Sequence, residues 1–317
     1  MSGNEVRFDG RSILVTGAGR GLGRAHALLL ASRGAHVVVA DSGVEMNGAG
    51  GDVAVADAVV DEIRSAGGTA VACAADLASE DGSIRAVASC VESFGRLDAI
   101  IHNASSVPRP LPVERLSSAE FDLCMRVNVY AGFWLTRAAW PHMAERGFGR
   151  IVYTTSGAMY GSAGAIAYAA AKSAFIGLAR SFAVAGKPHG INVNVLAPSA
   201  RTRMHGTGDP TTPYMDWLLR TMVAEKVSIG AAYLVSEECD FSGEVLSFEG
   251  GHISRVTLAE NEGFFGPGES IEEVRDAAPA VLADSRYVHP RTLNERMLWS
   301  AEMFGVAESL DAAKVWR

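Results

Sequence analysis

The sequence predicts an α/β fold with a doubly wound parallel sheet, a Rossmann fold, and two observations predict it. Short runs rich in β-branched residues alternate with longer Ala- and Leu-rich stretches that have helical periodicity. A glycine-rich turn joins the first run to the first such stretch. The predicted strands are residues 13–16, 36–40, 69–74, 99–102, 151–154, 192–196 and 245–248. The predicted helices are residues 22–32, 53–65, 84–94, 119–145 and 167–185, with a last helix before the final strand.

This alternation defines one domain, residues 1–251, and leaves residues 252–317 as a C-terminal extension. The extension contains a capping-box spacing, Ser270 with Glu273, and an amphipathic stretch at 292–304, so we expect two helices in it. Residues 42–51 and 201–228 also fall outside the alternation. They are rich in Gly, Pro and Thr, and we expect loops there.

Composition excludes several classes of function. Acidic residues outnumber basic ones, 36 to 28, without a block of like charge, so we expect no nucleic-acid partner. No apolar run approaches the ~20 residues that cross a bilayer, and the N-terminus lacks a secretory pattern. We therefore expect a cytoplasmic protein without a membrane partner. The four cysteines share no metal-ligand spacing with histidines, which predicts no metal site and reduced, buried thiols.

A glycine-rich loop follows the first strand directly and opens the first helix. Glycines there let the backbone approach a pyrophosphate, which the N–H groups at the start of the helix can bind. An ordinary tight turn is the alternative, because glycine serves both. The residues that we assign to cofactor binding in this loop are Gly17, Gly19, Arg20, Gly21, Leu22 and Gly23.

The spacing T-G-x-x-x-G-x-G at residues 16–23 resembles that of the short-chain dehydrogenase/reductase family, which implies a nicotinamide cofactor. Asp41 ends the second strand, where a carboxylate can accept hydrogen bonds from ribose hydroxyls and repel a 2′-phosphate. Arg20 argues for NADP instead. We weigh Asp41 more heavily and predict NAD, since an exposed arginine can turn into solvent whereas a carboxylate facing a phosphate must be neutralised. Asp41 as a simple turn residue is the alternative.

The same resemblance implies further cofactor contacts. Where relatives carry N-N-A-G, this chain has His102-Asn103-Ala104-Ser105, which departs from the pattern at both ends. Ser199 likewise replaces a glycine that usually follows Pro198. The additional cofactor-binding residues that the resemblance implies are Asp76, Leu77, Asn103, Ala104, Pro198 and Thr202.

The candidate catalytic pair is Tyr168 and Lys172, which lie four residues apart on a predicted helix and so project from one face. A phenol with a pKa near 10 is a poor base at neutral pH, and a nearby ammonium lowers that pKa. Lys172 can also hold the nicotinamide ribose, and Tyr168 can exchange a proton with the substrate oxygen.

The resemblance adds a serine and an asparagine to this pair. Counting forward from the strand at 151–154 assigns the catalytic serine to Ser156, whereas counting back from Tyr168 reaches Thr155. We favour Ser156. Asn128 matches the family asparagine that bends the long helix and holds a water of the proton relay, and a helix residue bonded only to backbone is the alternative.

Within the family, residues 41–51, 136–143, 197–204 and the tail beyond Gly251 resemble the (3R)-hydroxyacyl-CoA dehydrogenase domain of peroxisomal multifunctional enzyme type 2 and its bacterial relatives. This implies a hydrophobic secondary alcohol or ketone as substrate, with a 3-hydroxyacyl thioester first and a steroid second. Apolar residues in the segment 204–227 suit either compound. The arginines available for CoA phosphates, or else solvated, are Arg109, Arg201, Arg203, Arg220 and Arg255.

Two alternatives belong to other classes of protein: a non-catalytic NAD(P)-binding regulator and a structural subunit. The complete set of Ser156, Tyr168 and Lys172 argues against the regulator, and the intact glycine loop argues against the structural subunit. Apolar residues surround the predicted helix at 119–145, which we expect to be buried on both sides. The sequence therefore predicts a homodimer or homotetramer, with this helix and the Tyr168 helix at the interface.

Overall fold

The computed structural model describes residues 5–45, 50–108, 110–200, 213, 217, 220–264, 270–283, 286–305 and 307. Two compact units divide the chain, Met1–Arg255 and Val256–Arg317. The predicted contacts Thr202, Arg109, Arg201 and Arg203, and most of the predicted substrate loop, lie outside the described residues.

The first unit is built on one mostly parallel sheet, which confirms the predicted fold. Its strands run in the order β3-β2-β1-β4-β5-β6-β7-β8, and the first seven pair in parallel. Because the order reverses between β1 and β4, a crevice opens at the carboxyl ends of these two strands. The strands are β1 (Ser12–Thr16), β2 (His36–Ala40), β3 (Thr69–Cys73), β4 (Ala99–His102), β5 (Gly149–Thr154), β6 (Ile191–Ser199), β7 (Val245–Glu249) and β8 (His252–Val256).

Helices connect these strands, as the alternation predicts. Every residue of β1 and β4 is buried, which is typical of parallel strands that helices cover on both faces. Two helices begin at side-chain caps, α3 at Ser79 and α4 at a Ser117–Glu120 capping box. The helices of this unit are α1 (Gly21–Ser32), α2 (Ala54–Ser65), α3 (Glu80–Phe94), α4 (Ser118–Met125), α5 (Ala131–Arg146), α6 (Ile166–Gly186) and α7 (Ala224–Val235).

The predicted continuous helix at 119–145 is divided in the structure. A π-helical turn, Arg126–Tyr130, separates α4 from α5. The buried side chain of Asn128 donates to the carbonyl of Cys124 at 2.8 Å, the acceptor that the Asn128 backbone N–H would use in a regular α-helix. The asparagine thus opens the helix where it enters the candidate site.

The second unit contains two short strands and two helices. β9 (Glu260–Asn261) pairs antiparallel with β10 (Tyr287–Val288), and the sequence did not predict either strand. α8 (Ile271–Leu282) and α9 (Leu293–Met303) begin at the side chains of Ser270 and Thr292, where the sequence places helix starts. Throughout the described part of the chain, no helix has the length and apolarity needed to cross a membrane.

Candidate active site

The glycine loop leaves β1 and enters α1 at Gly21. Gly17 has a φ of +62°, and a Cβ there would lie 2.8 Å from the Cα of Ala104. A Cβ on Gly23 would lie only 2.1 Å from the carbonyl oxygen of Gly17, so the loop packs directly on α1. No side chain caps the start of α1, and no acidic residue lies in its first turn. The backbone N–H groups in the first turn of α1 can therefore bind an anion such as a pyrophosphate.

Most of the predicted cofactor residues surround one cleft at the crevice between β1 and β4. Three of the predicted residues, Gly19, Gly23 and Pro198, do not line this cleft. The two glycines are buried beneath the surface of the glycine loop, and Pro198 is half-buried within β6, where it pairs with Phe248 of β7. The predicted residues that line the cleft are Gly17, Arg20, Gly21, Leu22, Asp41, Asp76, Leu77, Asn103 and Ala104.

Asp41 lies beside the glycine loop at the end of β2. Its carboxylate accepts hydrogen bonds from the backbone N–H groups of Gly19 at 2.9 Å and Gly43 at 2.8 Å. The Arg20 guanidinium forms an ion pair with Glu45 at 3.4 Å, and Glu45 also lines the cleft. The positive charge of Arg20 therefore already faces a carboxylate, and Asp41 contributes a second negative charge to the same region.

A buried polar network supports the cleft from below. The Thr16 hydroxyl accepts hydrogen bonds from the backbone N–H groups of Asn103 and Ala104, both at 3.1 Å. His102 is also buried and contacts both Thr16 and Asn128. Its Nε2 must donate to the Asn128 carbonyl at 2.9 Å, because a carbonyl only accepts.

Burial lowers the pKa of His102 to about 4, so the ring is neutral and Nδ1 accepts from the Thr16 hydroxyl at 3.0 Å. The histidine that replaces the first asparagine of the family motif thus connects β1 to the π-helical turn. This role of His102 was not predicted from the sequence, although the departure from N-N-A-G marked the position.

Tyr168 and Lys172 both lie on the buried face of α6. The side chains of Ser156 and Ser105 lie near the Tyr168 hydroxyl, where they act to lower its pKa. Lys172 Nζ donates to the Thr154 carbonyl at 2.7 Å and lies 5.4 Å from the centre of the Tyr168 ring.

The structure separates the two candidates for the catalytic serine position. The hydroxyl of Ser156 caps the turn at Gly157–Tyr160 and lies near Tyr168, where it acts to lower the pKa of the phenol. Thr155 is buried instead, and its hydroxyl donates to the Lys172 carbonyl at 2.7 Å. The Thr155 hydroxyl is therefore already used within the core, which leaves Ser156 as the candidate.

Burial dominates the electrostatics of this group. Desolvation raises the pKa of Tyr168 to about 12, although hydrogen bonds with Ser156 and Ser105 act to lower it. Desolvation lowers the pKa of Lys172 to about 7. The sequence predicts that Lys172 lowers the pKa of Tyr168, and the structure differs because the loss of hydration on burial is the largest influence and raises that pKa. A neutral Tyr168 can donate a proton to a carbonyl oxygen.

Asn128 lies next to this group in the π-helical turn and is fully buried. Its Nδ2 donates to the carbonyls of Cys124 at 2.8 Å and Ser106 at 3.1 Å, and its Oδ1 accepts from the Ser105 hydroxyl at 2.8 Å. The structure therefore brings together all four predicted catalytic residues, Asn128, Ser156, Tyr168 and Lys172.

Comparisons with known proteins agree with this geometry. Residues 11–209 match the sequence profile of the short chain dehydrogenase family. A short-chain type dehydrogenase/reductase of Mycobacterium tuberculosis is 40% identical over 266 residues, which cover 83% of this chain and 91% of the relative. Peroxisomal multifunctional enzyme type 2 of Mus musculus is 36% identical over 92% of this chain, which spans only 39% of that relative.

A solved structure is also similar, that of a 7α-hydroxysteroid dehydrogenase complexed with NADH and 7-oxo glycochenodeoxycholic acid. It has a TM-score of 0.68 and 29% identity, and the match covers 77% of this chain and 95% of that one. With the glycine loop, the strand order and the Ser, Tyr and Lys group in place, the chain belongs to the short-chain dehydrogenase/reductase family of oxidoreductases.

Proposed function

We propose that this chain is an NAD-dependent dehydrogenase that interconverts a hydrophobic secondary alcohol and its ketone. One observation carries the proposal: the cleft at the glycine loop reaches the proton donor. Ser105 lines that cleft, and its side chain lies near the hydroxyl of Tyr168. A dinucleotide bound along the cleft would therefore end beside Tyr168.

In this proposal a bound nicotinamide accepts or supplies the hydride. Tyr168 donates its proton to the ketone oxygen during reduction and takes it back during oxidation. Ser156 donates a hydrogen bond to the same oxygen and so stabilises the charge that develops there. Lys172, whose pKa is about 7, can exchange protons close to neutral pH. Asn128 stabilises the π-helical turn next to these residues through its hydrogen bond to the Cys124 carbonyl.

The charges at the cleft support NAD over NADP. A 2′-phosphate at the end of β2 would meet Asp41 and the nearby Glu45, and Arg20 already pairs with Glu45. Binding NADP would then require Arg20 to leave one carboxylate while the phosphate approaches another. Ribose hydroxyls can instead donate to the remaining lone pairs of Asp41.

A 3-hydroxyacyl-CoA is our first choice of substrate. The sequence match to multifunctional enzyme type 2 covers 92% of this chain at 36% identity, whereas the structural match to the 7α-hydroxysteroid dehydrogenase covers 77% at 29% identity. The similarity to that steroid dehydrogenase makes a hydroxysteroid our second choice of substrate. Among the candidate CoA-binding arginines, Arg255 forms a bidentate ion pair with Glu244, at 2.7 and 2.9 Å, so it does not strengthen the first choice.

A panel of oxidation rates tests the proposal. Purified protein is assayed for NADH formation with (3R)-hydroxyacyl-CoAs of several chain lengths, with hydroxysteroids and with cyclic secondary alcohols. We expect the CoA esters to react fastest and Tyr168→Phe to react with none. Activity only on steroids or cyclic alcohols would overturn the first choice of substrate. If wild type and Tyr168→Phe were equally inactive on the whole panel, the protein would be a cofactor-binding regulator instead.

The choice of cofactor has a separate test. Titration with NADH and NADPH, followed by fluorescence, should give tighter binding of NADH. In Asp41→Asn the preference should weaken, because the negative charge is lost while the side chain keeps its shape. Preferential binding of NADPH by the wild type would show that Arg20 decides the specificity.

We further propose that the chain forms a homodimer or homotetramer through α5 and α6. Half-exposed aromatic residues from the two helices contact each other here: Phe182 packs on Phe133 and Trp140 with ring centroids 6.4 and 5.7 Å apart. Val184 of α6 is 57% exposed. Pairing with a second copy would bury this apolar surface. Light scattering that shows a monomer at micromolar concentration would refute this assembly.

A further inference from the structure

The cleft at the glycine loop is acidic. Among the described residues that line it, one carries a guanidinium, Arg20, and three carry carboxylates, Asp41, Glu45 and Asp76. A cofactor phosphate bound beside the end of β2 therefore has Arg20 as its one cationic partner within this described lining. How well the cleft can bind NADP then depends on whether Arg20 is available to the 2′-phosphate.

The three carboxylates differ in the groups that they bind. Asp41 and Asp76 both accept hydrogen bonds from backbone N–H groups of the loops around them. Glu45 instead forms the ion pair with Arg20, with 3.4 Å between its Oε1 and the guanidinium Nη1. The charge of Arg20 is therefore compensated by Glu45 and not by the acidic residue that ends β2.

A sharp turn after β2 places Glu45 near Arg20. Gly43 has a φ of +69°, and a Cβ at this position would collide with the backbone carbonyl of Asp52. The Asp41 carboxylate accepts from the Gly43 N–H at 2.8 Å and from an N–H of the glycine loop at 2.9 Å. This one side chain thus connects the turn that precedes Glu45 to the loop that contains Arg20.

We propose that Glu45 is a specificity residue for the cofactor, which withholds Arg20 from a 2′-phosphate by pairing with its guanidinium. The inference rests on the proposed function, because it takes the cleft to be the dinucleotide site. A free arginine can bind a phosphate through two parallel N–H···O bonds. Arg20 can form those bonds only after leaving Glu45, whose negative charge would then also face the phosphate. The ribose hydroxyls of NAD are uncharged and require no such rearrangement.

The exposure of the ion pair determines the size of the expected effect. The side chain of Arg20 is 36% exposed and that of Glu45 is 61% exposed. Exposed ion pairs change an equilibrium by up to about 5-fold, and added salt screens them. We therefore expect Glu45 to change the cofactor preference measurably at low ionic strength and less at high ionic strength.

Fluorescence titration of the full chain with NADH and NADPH tests the inference, because these ligands differ only in the 2′-phosphate. At low ionic strength, Glu45→Gln should raise the affinity for NADPH relative to that for NADH by about 3- to 5-fold over the wild type. Glu62→Gln is the matched control. Glu62 forms an exposed ion pair with Arg24 of α1 at 2.6 Å, but it is not among the described residues that line the cleft. This control should leave the ratio of affinities unchanged.

A second comparison, made in Arg20→Gln, separates withholding of the arginine from direct repulsion of the phosphate. If Glu45 acts by holding Arg20, Glu45→Gln should no longer change the ratio once Arg20 has been replaced. An equal gain for NADPH in that background would show that Glu45 repels the phosphate directly, and it would overturn the inference. A Glu45→Gln protein with the wild-type ratio would also overturn it. Both outcomes leave the proposed function in place, whereas a wild type that binds neither NADH nor NADPH would overturn both.

Discussion

Replacing Lys172 by methionine should stabilise the folded protein at neutral pH, even though it removes a candidate catalytic group. Lys172 is 1% exposed, and burial lowers its pKa from 10.5 to about 7. Between these two pH values the unfolded chain binds a proton at this site that the folded chain does not bind. The stability of the wild type therefore rises with pH across this window, and below pH 7 the full cost of burying the charge remains.

The magnitude follows from the difference between the two pKa values. At 1.36 kcal/mol per unit, the free energy of unfolding is reduced by about 4 kcal/mol at pH 7 and by about 1 kcal/mol at pH 10. Methionine fills a similar volume without charge, but it cannot donate to the Thr154 carbonyl, and that lost hydrogen bond costs about 1 to 3 kcal/mol. Lys172→Met should therefore be more stable than wild type at pH 7 and equal or less stable at pH 10.

Urea unfolding of both proteins at pH 7 and pH 10, without added cofactor, measures this change. Lys226→Met is the matched control, because Lys226 is exposed on α7 and should show no such dependence. Groups that titrate elsewhere cancel in the comparison of variant with wild type. A stability difference that is the same at both pH values would refute the argument, since Lys172 would then keep an ordinary pKa in the folded state.

Three further outcomes follow from the site. Tyr168→Phe should abolish turnover while leaving the affinity for NADH, measured by fluorescence, unchanged, because the hydroxyl serves proton transfer. Ser156→Ala should lower kcat by ~100-fold or more, whereas Thr155→Ala should cost about 1 kcal/mol in urea unfolding and little kcat. The opposite pattern would assign the substrate contact to Thr155. Gly23→Ala should weaken NADH binding because its Cβ would collide with the glycine loop, whereas Gly177→Ala, with open space around it, should not.

The fold could be predicted because parallel strands and their helices have distinct apolar patterns. All seven strands of the predicted alternation are present, with ends shifted by a few residues at most. The sequence predicted one long helix that Asn128 bends, but not the π-helical turn that divides it, since this turn depends on a side chain that takes a backbone acceptor within the same helix. β9 and β10 were missed because each is only two residues long, too short for an alternating pattern.

The candidate site was predictable to the extent that it repeats a motif. The glycine loop, Asp41 and the Tyr168–Lys172 spacing could be read from the sequence, and the structure brings them to one edge of the sheet. The interactions of His102 and Ser105 could not, because both residues replace motif residues and their partners are distant in sequence. Nor does a motif show that burial dominates the pKa of Tyr168 and raises it.

The residues that form the candidate site are poorly suited to stabilising the fold. Lys172 is a buried amine, and Asn128 interrupts a helix to place its amide beside Ser105. These costs are tolerable because neighbouring polar groups form hydrogen bonds with one another. The Thr16 hydroxyl donates to His102 Nδ1, and His102 Nε2 donates to the Asn128 carbonyl. The network is anchored in β1 and β4, whose residues are all buried. A change at His102 should therefore reach Tyr168 through Asn128, because His102 donates a hydrogen bond to the backbone of the π-helical turn that carries Asn128.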